Sequence, residues 1–529
     1  MSENSEPAAK TGNKQIAQAY DYPNDTNGEV NTGAALLIRI LVERRQKWQG
    51  RGQYKEPAPP DTTDLPPLPE CWTWATLESL TLNIADVDHR MPKAILSGIP
   101  YVSTRDFGGE NEIDFERAKR ISQSDYDLLA RKVKPELGDI LLSRYGTVGE
   151  VRRVKEVSAF QASYSIAILK THRDAALNSF LVYVLRSDII QRQIRRDVRA
   201  SAQPDLGLAF IRKFVVPLPP SAEQRRIVEE IEKQFTRLEA GVAALQRVQA
   251  NLKRYRATVL KAACEGRLVP TEAERLKAEG GTLRDFESGE RLLKRILTER
   301  RQNWQGRGPY KEPAALDTMK LFQLPEGWTW TTLDALAEIK GGITKDQNRK
   351  HAAPARSVPY LRVANVQRGY IDLTEVKEIF ATEDEIRELA LKPGDILFNE
   401  GGDRDKLGRG WVWNSELPEC IHQNHVFRAR PYVAELNSKL VSWYANTFGQ
   451  KFFFDEGKHT TNLASISMSK LKGLPVPIPP PTEQTRIVAE VERRLSVVEE
   501  LESVVSANLQ RATGLRQSIL QKAFTGQLI

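Results

Sequence analysis

Three side chains that ligate transition metals lie close together in Cys420-x-His422-x-x-His425. A structural zinc site takes four such ligands. No fourth of suitable spacing accompanies these, and the alternation around them predicts a strand, whose neighbouring side chains point to opposite faces. No metal site is therefore expected. Glu375-Val-Lys377 has the ExK form of some nucleases, but the nearest aspartate, Asp372, is only three residues upstream, and the group reads as a solvated charge pair. Adenine methylation needs an Asn/Asp-Pro-Pro-aromatic loop to hold the extruded base. The double prolines here are followed by Asp61, Leu68, Ser221, Pro481 or Thr482. A nucleotide-driven motor needs GxxxxGK[ST], and Gly401-Gly402 and Gly408 lack the Lys-Ser/Thr ending. The chain is expected to carry no catalytic residue.

What remains is binding. A net charge of +8 and a pI near 9.1 favour an anionic partner. Reading base edges takes Arg, Lys, Asn, Gln, Ser or Thr on loops, with Lys and Arg on phosphates. For a nucleic-acid partner, the candidate contact residues in the first half of the chain are Ser103, Thr104 and Arg105, then Arg144, Tyr145 and Thr147, then Gln203. In the second half they are Arg362 and Asn365, then Asn399, Arg404, Lys406 and Arg409, then Lys458 and Thr460.

The frame that must position these loops occurs twice. Val216-Pro-Leu-Pro-Pro220 leads through Glu223-Gln224-x-Arg226-Ile227-Val228 to Gly266-Arg-Leu268. The same order returns 260 residues later, without a gap, from Val476-Pro-Ile-Pro-Pro480 through Glu483-Gln484-x-Arg486-Ile487-Val488 to Gly526-Gln-Leu528. A leading segment repeats too: Leu36–Pro57 and Leu292–Pro313 share 18 of 22 residues. Repetition on this scale means two whole units, too long for a solenoid repeat.

Between the repeated flanks lie two unlike stretches, each opening on Trp-Thr-Trp. Weak landmarks recur in them, Pro100-Tyr-Val102 against Pro359-Tyr-Leu361 and Gly138-Asp-Ile-Leu141 against Gly394-Asp-Ile-Leu397. Runs at 140–143, 165–169, 396–398 and 425–429 predict strands, and 177–196 and 436–448 predict helices. The expected order is a disordered extension (1–33), an amphipathic helix with a proline-rich linker (34–71), a mixed α/β domain (72–217), a long helix (218–268), a linker holding the repeated amphipathic helix (269–327), a second domain (328–477) and a second long helix (478–529).

After each proline hinge the apolar residues keep a 3,4 alternation. Val228, Ile231, Phe235, Leu238 and Leu245 form the first seam and Val488, Val491, Leu495, Val498 and Val505 the second, continued by Val248, Tyr255, Leu501, Asn508 and Leu515. Such seams want a partner helix, and the economical partner for each is the other, paired antiparallel. Residues 221–263 would span about 65 Å at 1.5 Å per residue. Asn508 either specifies the register, as a buried polar residue does in coiled coils, or sits at the edge of the seam.

No apolar run is long enough to cross a bilayer, and no secretory segment opens the chain. Cys71, Cys264 and Cys420 are far apart and form no CxxC pair, which fits a reducing compartment. A cytoplasmic location is expected.

The duplicated Pro-x-Pro-Pro-x-x-Glu-Gln-x-Arg-Ile-Val entry, the Gly-x-Leu exits and the two unlike domains closely resemble the specificity (S) subunit of type I restriction-modification systems. The resemblance covers nearly the whole chain after about residue 34. It implies a mixed α+β protein of two target recognition domains separated by two long helices that pair as an antiparallel coiled coil, with a pseudo-two-fold internal repeat. Each domain would read one half of a bipartite asymmetric site in double-stranded DNA. The helices would space the halves and dock two methyltransferase (M) subunits, and restriction (R) subunits would join. The resemblance further implies a non-catalytic chain in a complex with adenine-N6 methyltransferase and restriction endonuclease activity, S-adenosylmethionine, ATP and Mg acting on partner subunits. The alternative is a non-catalytic coiled-coil interaction scaffold.

Overall fold

The computed structural model describes residues 32–529 apart from 49–52, 64, 90, 110–111, 156–157, 173, 199–203, 282–285, 305–307, 347–353, 403–405 and 460–463. The expected N-terminal extension thus lies, but for its last two residues, outside the described residues. Two compact units divide the chain: one runs to Leu245 and takes in Ala507–Ile529, the other is Gln246–Ser506. The division falls inside the two long helices, because each domain recruits the helix ends beside it.

In the first unit, Leu36, Leu37, Ile40 and Leu41 share one helical face and are buried on the helix Gly33–Gln46, which Thr32 caps by accepting from the Ala35 amide at 3.2 Å. Arg44 lies on the same face. Its Nε donates to the Thr81 carbonyl at 3.0 Å and a terminal nitrogen to the Tyr54 hydroxyl at 3.2 Å. The strand Thr73–Thr76 pairs antiparallel with Val215–Leu218, Thr73 opposite Leu218, so the domain closes on its own ends.

Between these ends lie a four-stranded antiparallel sheet, in the order Asn83–Ala85, Ile166–Lys170, Ile140–Ser143, Val151–Arg153, and a three-stranded one, Lys119–Ile121, Ile99–Val102, Gln161–Ala162, whose last pair is parallel. The two-residue period of a strand sorts the side chains of the larger sheet. Ile140, Leu142, Ala167 and Leu169 enter the core beneath the helices, while Leu141, Ile166 and Ile168 enter the core of the smaller sheet. A sheet covered on both faces reads as a continuous apolar run, which is why 140–143 is legible as a strand. The single helix expected over 177–196 is two, Ala175–Arg186 and Asp188–Asp197, broken at Ser187, whose extended backbone (ψ 158°) ends one and starts the other.

The second unit repeats this plan. Helix Gly289–Gln302 is capped by Ser288, Thr329–Thr332 pairs with Pro475–Ile478, and the four-stranded sheet runs Ala337–Lys340, Val426–Pro431, Ile396–Asn399, Gly410–Val412. The three-stranded sheet is Lys377–Thr382, Ala355–Leu361, Ile421–His422, again closing on a parallel pair. The near-identity of the leading segments has a physical cause. The Trp48–Tyr54 edge-to-face contact recurs as Trp304–Tyr310, the Arg45–Glu56 pair as Arg301–Glu312, and the Arg44–Tyr54 hydrogen bond as Arg300–Tyr310.

The entry motif is explained in the same way. Gln224 and Gln484 are buried, and each side-chain amide donates at 2.9 Å to a hinge carbonyl, that of Pro219 or of Pro479, fastening the prolines to the first helical turn. Helices Ser221–Cys264 and Pro481–Phe524 follow, each 44 residues long. Each exits at a glycine in the left-handed region, Gly266 at φ +68° and Gly526 at φ +73°. The next amide returns to the carbonyl five residues back, Arg267 to Ala262 and Gln527 to Lys522, which satisfies the orphan end of the helix. A Cβ there would lie about 2.5 Å from a proline ring carbon, of Pro325 at Gly266 and of Pro69 at Gly526.

The helices run antiparallel in each unit. In the first, Ile227, Val228, Ile231 and Phe235 pack with Ile519, Leu520, Ala523 and Phe524, and Arg516 pairs with Glu239 at 3.3 Å. In the second, Val259, Ala263 and Cys264 pack with Ile487, Val488 and Val491, and Arg256 pairs with Glu499 and Glu502. Val498 and Val505 are also buried; Leu238, Leu245 and Leu495 are half-buried, as is Asn508. Val248, Tyr255, Leu501 and Leu515 are exposed, so the seam is narrower than its sequence pattern. Two helices cover only one stripe of each other, and an unbroken heptad pattern drifts off that stripe unless the helices supercoil to follow it. No helix among the described residues is long and apolar enough to cross a membrane.

Candidate nucleic-acid interface

In each unit the candidate loops meet at the ends of the sheet strands, on a backbone frame that repeats bond for bond. The Ser163 amide donates to the Val102 carbonyl, Ile166 to Ser163, Arg144 to Ser165 and Leu206 to Arg144. The second unit makes the same four bonds, Gln423 to Leu361, Val426 to Gln423, Glu400 to His425 and Ile466 to Glu400. The strand registers agree, with Ser143 opposite Ile166 and Asn399 opposite Val426. The frame brings together the loop after Gly-Asp-Ile-Leu, the short turn ahead of the second strand and the segment leading into the hinge.

Several predicted readers prove to be parts of this frame. Arg144 is buried: Nε donates to the Leu206 carbonyl at 3.0 Å, and the terminal nitrogens to Asp86 at 3.2 Å, Tyr164 O at 3.2 Å and Asp205 at 3.0 Å. A guanidinium so engaged, with four of its five N–H groups bonded inside the unit, positions its loop. Asn399, wholly buried, donates to the carbonyls of Val366 and Val363. Asn365 is buried as well, accepting from the Arg362 amide at 2.9 Å and donating to Asp372 O and Glu375 O. Its counterpart is not a predicted residue but Asp106, which accepts from the Ser103 amide at 2.7 Å. All three side chains are thus engaged inside their units, Asn365 and Asn399 as short polar side chains that satisfy backbone groups beside a strand end and Arg144 through two carboxylates and two carbonyls.

Other candidates keep their accessibility. Arg105 and Thr147 are exposed, and Ser103, Thr104, Tyr145 and Lys406 half-buried. Arg362 and Arg409 are half-buried; Arg362 pairs with Glu375 at 3.4 Å and donates to the Glu375 carbonyl, and Arg409 donates to the Val363 carbonyl at 3.3 Å. Lys458 falls on the short strand Lys458–His459. Gln203, Arg404 and Thr460 lie outside the described residues.

The Cys-x-His-x-x-His residues are each engaged separately. The Cys420 thiol is buried, its pKa pushed up to about 12 by burial, and it donates to the Ile421 carbonyl. His422 is buried with Nδ1 2.6 Å from the Val426 carbonyl, and burial holds its pKa down to about 4. His425 is exposed, with Nδ1 2.5 Å from Glu400 Oε2. No group of three or more His, Cys, Asp and Glu able to hold an ion occurs among the described residues.

Sequence reasoning passed over Glu483, whose motif position hid its surroundings. It is fully buried, accepts from Trp328 Nε1 at 2.8 Å and from the Glu272 amide at 3.0 Å, and burial outweighs the indole bond to raise its pKa to about 7. Its effect on stability opposes that of His422. Between pH 4.5 and about 7 the folded chain holds a proton on Glu483 that the unfolded chain releases, so this contribution is lost as pH rises. Between about 4 and 6.5 the unfolded chain protonates a histidine that the folded chain keeps neutral, so stability is lost as pH falls. From 4.5 to 6.5 the two slopes cancel. Glu483→Gln removes one, and the second unit of the variant is expected to lose about 2–3 kcal/mol between pH 6.5 and 4.5 relative to the parent. Urea denaturation at several pH values tests this, and parallel curves for the two proteins would refute it.

Comparison with known proteins agrees with the geometry. The family described as the Type I restriction modification DNA specificity domain matches residues 97–245. The EcoKI specificity subunit of Escherichia coli K12, a type I restriction enzyme component, is 22% identical over 479 residues, covering 87% of this chain and 90% of its own. The EcoAI specificity subunit of Escherichia coli is 23% identical over 569 residues, covering 95% and 90%. A structure solved for the assembly and conformational transition of the type I R-M system shares the fold, with a TM-score of 0.60 at 19% identity over 87% of this chain and 99% of that one. With its duplicated frame and unlike strand-end loops, the chain is similar along most of its length to specificity subunits of type I restriction-modification systems and carries, at residues 97–245, a match to their DNA specificity domain.

Proposed function

We propose that the two recognition domains each read one half of a bipartite, asymmetric double-stranded DNA site. The paired helices set the distance between the halves and dock two methyltransferase subunits, and restriction subunits join the full complex. The chain itself is non-catalytic and cytoplasmic; S-adenosylmethionine, ATP and Mg serve the adenine methyltransferase and endonuclease activities of its partners. One observation carries this reading: the backbone frame at the strand ends is the same in both units while the side chains it presents are not. An asymmetric two-part site calls for two equivalent scaffolds with different reading surfaces. Half-sites about one helical turn apart, roughly 34 Å, lie on one face of the duplex, within reach of helices of this length. The test is a methylome of cells carrying this chain with its methyltransferase partner. A split motif methylated on both strands is the expected result. No new methylated motif would refute the reading, and methylation by this chain alone would make it an enzyme.

A further inference from the structure

We infer that the three-residue turns Ser163–Ser165 and Gln423–His425 carry the base-specifying side chains of the two domains: Tyr164, backed by His89 and Tyr145, in the first, and Asn424 with His425 in the second. The inference deepens the proposed function and rests on its assignment of one half-site to each domain. Backbone bonds hold both turns in one conformation, Ser163 to Val102 O and Ile166 to Ser163 O in one, Gln423 to Leu361 O and Val426 to Gln423 O in the other. Side chains at matched positions therefore leave the frame at matched places. Tyr164 corresponds to Asn424, Ser165 to His425 and Arg144 to Glu400, through the registers Val102 opposite Ala162 and Leu361 opposite His422.

The chemistry at these places differs in kind. In the first unit exposed His89 stacks on half-buried Tyr164, ring centroids 4.7 Å apart and planes 26° from parallel, and Tyr145 meets Tyr164 edge-on at 5.8 Å. Arg144 underlies the stack, donating to the Tyr164 carbonyl at 3.2 Å, so the rings are preorganised. A flat apolar plate rimmed by phenol and imidazole suits the thymine methyl and adjacent base edges in the major groove. In the second unit the plate is replaced by the half-buried amide of Asn424 and by His425, oriented by Glu400. An amide pairs bidentately with adenine N6 and N7.

The experiment uses the full chain assembled with its methyltransferase subunits on a randomised duplex library, the methylated motif being read by sequencing. Tyr164→Ala and His89→Ala are expected to relax preference at one or two positions of one half-site by about 10- to 100-fold, leaving the other half-site unchanged. Asn424→Ala should relax the other half-site alone. Tyr164→Phe keeps the stack and serves as the folding control, with its own half-site relaxed less than in Tyr164→Ala. An unchanged motif, or equal loss at both half-sites, would overturn the inference. If the parent chain itself directs no split motif, the underlying assignment of half-sites falls instead, an outcome visible before any variant is made.

Discussion

Arg144→Ala is expected to destabilise the first unit by about 3–5 kcal/mol, the range for breaking a buried ion pair by removing one partner. The guanidinium bridges Asp86 and Asp205, with side-chain exposures of 8% for Arg144 and 10% for Asp86. Its removal leaves a carboxylate facing a cavity, which Lys132, at 3.2 Å from the outer side, partly compensates. The carbonyls of Leu206 and Tyr164 lose their donors as well. Hydrogen exchange of the strand Ile140–Ser143 is the measurement, since it reports on this unit while Ile396–Asn399 reports on the other. Faster exchange confined to the first strand is the expected outcome. A variant with normal exchange and altered sequence preference would return Arg144 to the readers.

Phe524→Ala should cost about 3–5 kcal/mol in the same unit, although residue 524 lies more than 250 residues beyond the sheet it supports. Its ring is 1% exposed, meets Phe180 edge-to-face at 5.4 Å, and sits in the core that contains Ile140 and Leu169. The deletion combines lost transfer energy with a cavity between rigid elements. The matched control is Leu515→Ala on the same helix, which is 51% exposed and should stay within about 0.5 kcal/mol of the parent. Denaturation followed through the first unit separates them. Equal effects would mean that the helix end does not complete this core.

These two residues show how far sequence reasoning reaches. Phe524 stands in a repeat whose 3,4 spacing announces a helix needing a partner, and the gapless repetition makes the sister helix the economical one. Which seam residues are covered does not follow from spacing. Val248 and Leu501 fit the pattern as well as Ile231 and Val491, but the latter pair also pack in the domain cores at the helix ends, which spacing does not reveal. Arg144 stands in a loop whose place at a strand end was legible from the Gly-Asp-Ile-Leu landmark. Its role was not, because the groups that engage it come from residues about 60 positions away on either side.

By itself the sequence determined the duplication, the proline-hinged helices, the strand-rich domains between them and the absence of motifs for methyl transfer or a motor. These follow from local periodicity, from Gly and Pro conformational limits and from identity at a constant offset, all readable along one dimension. Tertiary structure alone decided which polar side chains spend their hydrogen bonds on the frame and which stand clear of it. A donor's fate depends on the nearest unsatisfied carbonyl or carboxylate in space. For Arg144, Asn399 and Asn365 that partner lies inside the unit, whereas Tyr164 and Asn424 bond the frame through their backbones and leave their side chains at its surface.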